Sequence, residues 1–85
     1  MAAAGGPFIT MSLEHVFAEV FNIPQEQVTD LLQLDQIASW DSLSHMMLIG
    51  RLEDEFKVQL SGDEIADLRS VADARRALLA HGAAV

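Results

Sequence analysis

The 85-residue sequence predicts an all-α fold, a small bundle of three main helices plus one short helix. Three observations carry this expectation. Apolar residues recur at helical spacing in separate stretches of the chain. No stretch alternates apolar and polar residues as a half-buried strand does, and no segment repeats. The composition has two prolines, no tyrosine and many alanines and leucines, which favour helix. A domain this short buries only about 60% of the surface its unfolded chain exposes, so its core is thin. The chain divides into a flexible Ala/Gly tail at 1–10, a single domain at 11–81 and a frayed end at 82–85.

In the first helix, Leu13, Val16, Phe17, Val20 and Phe21 form one apolar stripe. Ser12 is its N-cap, and Asn22 with Pro24 stops it near residue 22. Glu14 and Glu19 lie elsewhere on the wheel and are expected to face water. Residues 23–41 form a connection longer than the about 12–15 residues usual for a compact domain. It carries Val28, Leu31, Leu32, Leu34 and Ile37, and is read as an ordered loop pinned to the core by these side chains, with a short turn at 24–27. The second helix is expected over 42–57 behind an Asp41 N-cap. His45, Leu48, Ile49, Leu52 and Phe56 share its core face. Leu43, Met47, Gly50 and Asp54 lie opposite, with Met46 and Glu53 at the edge, where a surface helix would ordinarily be polar. A short third helix fits 61–67, since Ser61 and Glu64 have capping-box spacing. The fourth opens at Ser70, buries Val71, Ala74 and Leu78 and stops at Gly82. Arg75 and Arg76 are placed towards its C-terminal end, where cations suit the helix dipole.

Composition narrows the function classes. There is no cysteine, which excludes disulfides, thiolate zinc sites and a cysteine nucleophile. Thirteen acids against five bases give a net charge of -8. That charge argues against nucleic acid and against an anionic membrane surface, and favours a basic protein partner. Hydrophobic residues, at 51%, are too many for a disordered acidic tail. No run approaches the ~20 apolar residues of a membrane span, and residues 1–7 lack the basic and apolar regions of a secretory signal. A cytoplasmic monomer is the expectation. No histidine pair has ligand spacing, so no metal site is expected.

The candidate site is Asp41-Ser42-Leu43, at the start of the second helix. A serine in a first helical turn sits where free N–H groups and the dipole favour an anion. It follows a long loop, so it should be exposed, and an apolar and acidic face runs down the helix from it. Asp41, Ser42 and His45 could suggest a hydrolase, but His45 falls in the core stripe and no strand–elbow context surrounds the serine.

Residues 39–56, Ser-Trp-Asp-Ser-Leu-Ser-His-Met-Met-Leu-Ile-Gly-Arg-Leu-Glu-Asp-Glu-Phe, closely resemble the acyl carrier protein family. The shared features are D-S-L, an apolar helix, an acidic cluster and a phenylalanine, then a short third helix and the Ser70-Val71 start of the fourth. The likeness covers about residues 12–80. It implies a non-catalytic carrier in which Ser42 receives a 4′-phosphopantetheine arm from coenzyme A, with Asp41 and Leu43 beside it. It implies a Mg²⁺-dependent phosphopantetheinyl transferase, whose metal is its own, and acyl cargo held as a thioester in lipid or polyketide biosynthesis. Leu43, Met46, Met47, Gly50, Glu53 and Asp54 would then be the docking face for basic patches on a loading ligase or acyltransferase and on downstream synthases. Ser39-Trp40 stands where fatty-acid carriers usually have Gly-Leu, and the two glycines of peptidyl carriers are missing. The start resembles free-standing carriers of specialised pathways, and Trp40 is expected to anchor the loop by packing. An aminoacyl or peptidyl carrier, and an unmodified helical adaptor using the same face, are the alternatives.

Overall fold

The computed structural model describes residues 12–83 and 85. Four α-helices follow one another: α1 over Leu13–Phe21, α2 over Ser42–Phe56, α3 over Gly62–Asp67 and α4 over Val71–Ala80. No strand is present among the described residues; the nearest thing is an isolated bridge between Gln33 and Ser70. The 1–10 tail lies outside the described residues.

Each helix begins where a side chain can satisfy its free N–H groups. Ser12, Asp41, Ser61 and Ser70 accept from the backbone N–H groups of His15, Ser44, Glu64 and Asp73. Two long helices end on left-handed residues, Asn22 at φ 55° and Lys57 at φ 56°, whose N–H groups bond back to the carbonyls of Ala18 and Glu53. The second helix therefore stops one residue before the expected Lys57. At the other end of the domain, Gly82 adopts φ 83° and His81 caps α4. In the last residues, Ala83 and Val85 are half-buried against the core.

The core is where the helical stripes converge. Val16 and Phe17 of α1, Leu48 and Leu52 of α2, and Val71 and Leu78 of α4 are fully buried. Val28, Leu34 and Ile37 pin the connection to this core, as expected, through 3-10 turns at Gln25–Gln27 and Leu34–Gln36. Leu31 does not: it is 86% exposed, because the Leu32 carbonyl accepts from Val71 N–H and holds the loop with Leu31 turned outward.

Two charge expectations are also corrected. Glu14 does not simply face water but pairs with Arg75, which also reaches Asp30 at 3.0 Å. Arg75 thus ties α4 to α1 and to the connection. Neither Arg75 nor Arg76 reaches the last turn of α4; Arg76 pairs with Asp73, so these cations serve partners and not the dipole. Glu19 is exposed as expected, and takes Arg51 and His15.

Candidate functional site

The start of α2 is held by reciprocal hydrogen bonds. The Asp41 carboxylate accepts from Ser44 N–H at 2.8 Å, and Ser44 Oγ accepts from Asp41 N–H at 2.8 Å. The Ser44 hydroxyl also lies near the carbonyls of Ser39 and Asp41, at 3.2 and 3.1 Å. Bonds from the Ser44 backbone and hydroxyl hold the Asp41 carboxyl below the usual carboxylate range. Ser39 Oγ is engaged as well, donating to the Phe21 carbonyl at 3.2 Å. Between these occupied groups, Ser42 is exposed, and among the described residues its hydroxyl has no hydrogen-bond partner. The serines at 39 and 44 fasten the loop and the cap; the one at 42 is left available.

Leu43, Met47, Gly50 and Asp54 fall on one outward stripe of α2, with Met46 beside it. Leu43 is 72% exposed, and Met46 and Met47 about half. A Cβ added at Gly50 would meet nothing within 4 Å, so nothing packed in the fold requires a glycine there. Glu53 departs from the stripe: it is half-buried, and its carboxylate accepts from Leu60 N–H at 2.9 Å. One of its oxygens is committed to the chain that follows α2.

Trp40 does not enter the core. It is 37% exposed and anchors the loop through α2, its indole N–H donating to His45 Nδ1 at 3.1 Å with the rings edge-on at 6.0 Å. His45 Nε2 lies 3.0 Å from the Ile65 carbonyl. A carbonyl only accepts, so Nε2 carries the proton and Nδ1 is the acceptor that the indole needs. His45 is thereby half-buried and fully engaged, rather than a purely apolar-face residue. Both ring nitrogens are taken by other partners and no hydrogen bond joins His45 to Ser42, which removes the hydrolase arrangement. Trp40 and His45 form one wall of a cleft of about 410 Å³, with Leu34, Asp35, Leu68 and Arg69 around it. Sequence reasoning missed this cleft because its walls come from three segments whose spacing carries no periodic signal. The other two histidines are structural: His15 meets Gln25 and Glu19, and His81 meets Glu64. No group of three or more His or acidic residues could hold a metal among the described residues.

The sequence matches the phosphopantetheine attachment site family over residues 12–78, and the chain belongs to that family. It is similar to the holo acyl carrier protein from Geobacter metallireducens, solved in solution by NMR. The two are 33% identical with a TM-score of 0.72, the match covering 82% of this chain and 84% of that one. No curated protein matches the sequence. The chain is therefore a carrier of the acyl carrier protein type and not an enzyme, and its cofactor is a covalently attached phosphopantetheine. Carriers of this family work with a phosphopantetheinyl transferase and with synthases. No helix among the described residues is long and apolar enough to cross a membrane.

Proposed function

We propose that Ser42 is the attachment point of the 4′-phosphopantetheine arm, and that the protein carries acyl groups on it as thioesters and presents them to partner enzymes. The observation that carries this reading is the unoccupied hydroxyl of Ser42 between two serines whose hydroxyls are bonded. The residues present fit the group. Ser42 is exposed at the first turn of a 15-residue helix, where N–H groups without intrahelical partners favour a phosphodiester. When attached, the group supplies a thiol on a flexible arm; the chain, with no cysteine, supplies none of its own. In the transfer, the bond from Ser42 Oγ to phosphorus forms, the pyrophosphate bond of coenzyme A breaks and the adenosine bisphosphate leaves. The transferase takes the serine proton. The similar structure is described as an acyl carrier protein, which supports acyl over aminoacyl cargo.

The exposed stripe Leu43, Met46, Met47, Gly50 and Asp54 is the docking face in this reading. Methionines repack against different partners, and the acid beside them suits basic patches. Glu53 contributes charge at the edge of that face while holding Leu60. Incubation of the purified chain with coenzyme A, Mg²⁺ and a broad-specificity transferase, read by intact mass, tests the assignment. A gain of one phosphopantetheine is expected, and Ser42→Ala abolishes it. Gain in the Ser42→Ala variant would move the attachment point elsewhere. No gain by the folded wild-type chain with two different transferases would favour the bare helical adaptor.

A further inference from the structure

The cleft beside the attachment residue has a chemistry of its own. Its wall begins at Trp40, whose Cα lies at most about 7 Å along the chain from that of Ser42, so a short group on a folded-back arm reaches it. Three features set what it can hold. Leu34 and Leu68 line its apolar floor, and each exposes no more than 2% of its surface. Trp40, His45 and the Ile65 carbonyl form a continuous hydrogen-bond chain from the loop across α2 to α3. A long apolar chain passing between those elements towards Leu48 and Leu52 would have to break both bonds and leave polar groups unpaired. Finally, Arg69 lines the cleft with no ion-pair partner among the described residues, in a chain with 13 acids. Arg51, Arg75 and Arg76 are all ion-paired. Asp35 lines the same cleft without pairing to Arg69.

We propose that this carrier holds a short acyl group ending in a carboxylate, with Arg69 receiving the carboxylate in the cleft and the Trp40–His45–Ile65 hydrogen-bond chain turning away long apolar cargo. The inference rests on Ser42 as the attachment point. A guanidinium in a cleft meets a carboxylate with two parallel hydrogen bonds, whereas a methyl end of equal length offers it nothing. The indole and the leucine floor cover the methylenes between the thioester and the charge.

The apo chain is loaded from glutaryl-, pentanoyl- and decanoyl-coenzyme A, five carbons with and without the second carboxylate and then ten without. Complete loading is established by intact mass, and amide and side-chain N–H resonances are compared with those of the chain carrying the unacylated arm. Glutaryl is expected to move the Trp40 indole N–H and the Arg69 Nε–H. Pentanoyl leaves Arg69 in place, and decanoyl leaves the amides of Leu48 and Leu52 in place. Arg69→Gln removes the glutaryl response in fully loaded protein, and Arg69→Lys keeps a reduced one. Equal spectra for glutaryl and pentanoyl, or a decanoyl group that shifts Leu48 and Leu52, overturns the proposal while leaving the carrier assignment intact. Failure of all three to add mass overturns the attachment at Ser42, and this inference with it.

Discussion

Two serines two positions apart divide the work at the start of α2. Ser44 is bonded to Asp41 in both directions and borders the Ser39 carbonyl. Ser42 contributes no side-chain bond to the fold. Ser44→Ala is therefore expected to destabilise the domain by about 1 kcal/mol, the usual net worth of a lost hydrogen bond. In a domain of this size that lowers Tm by about 4–8 °C. Ser42→Ala places a good helix former on an exposed first turn and is expected to change stability by less than about 0.5 kcal/mol. Thermal melts followed by circular dichroism compare the two. A larger loss in Ser42→Ala than in Ser44→Ala would mean that the hydroxyl at 42 is structural. The Asp41 cap and the candidate serine were legible in D-S-L, because capping is local chemistry. The second half of that cap was not, since a serine replaces the glutamate that usually closes the box. Trp40 was legible as an anchor but not as a cleft wall, because its partner His45 is chosen by the path of the loop.

At the scale of elements, three carboxylates with lowered pKa hold two helix starts and one contact between α1 and α2. Asp41 caps α2, Glu64 closes the box of α3 and meets His81 beyond α4, and Glu19 on α1 takes Arg51 of α2. Bonds to the Ser44 backbone, the Ser61 backbone and the Arg51 guanidinium, in that order, hold these three carboxyls below their ordinary values. A carboxyl with a depressed folded pKa takes its proton later than in the unfolded chain. Its stabilisation is full above the unfolded value, about 4, and fades as the pH falls through the lower folded one. Tm is expected to be level from pH 7 to about 5 and to decline below about 4.5. Asp41→Asn keeps a cap at neutral pH and removes that residue's share of the decline. Melts between pH 7 and 3 check this, and a Tm that rises steadily into acid would show that relief of charge repulsion outweighs the caps. The helices themselves were legible because each pairs an apolar period with a serine or aspartate cap. What was not legible is long-range: Arg75 finds Glu14, 61 residues away, and Leu31 turns out because its neighbour Leu32 bonds Val71.

At the scale of the molecule, the charge balance separates what the fold uses from what it presents. Three of the five basic side chains are paired internally, so most of the surplus behind the net charge of -8 lies on the surface. Asp54 stands on the outward face of α2, two turns beyond Met47 on the stripe that begins at Leu43. Rim charges change how often partners meet, and apolar contacts change how long they stay. If the docking face works this way, the second-order rate of modification by a basic transferase falls as salt shortens the reach of the field. That reach is about 10 Å at 0.1 M and about 4 Å near 0.5 M. A loss of about tenfold or more over that range is expected. Asp54→Asn should lower the rate at low salt and flatten the slope. Met47→Ala should lower it by a similar factor at every salt concentration, because removing an apolar contact leaves the field unchanged. The rates are measured at fixed pH and saturating Mg²⁺ with KCl varied. A rate indifferent to salt, with Met47→Ala still impaired, would make the exposed leucine and methionines the whole of the recognition and leave the acidic surface to solubility alone.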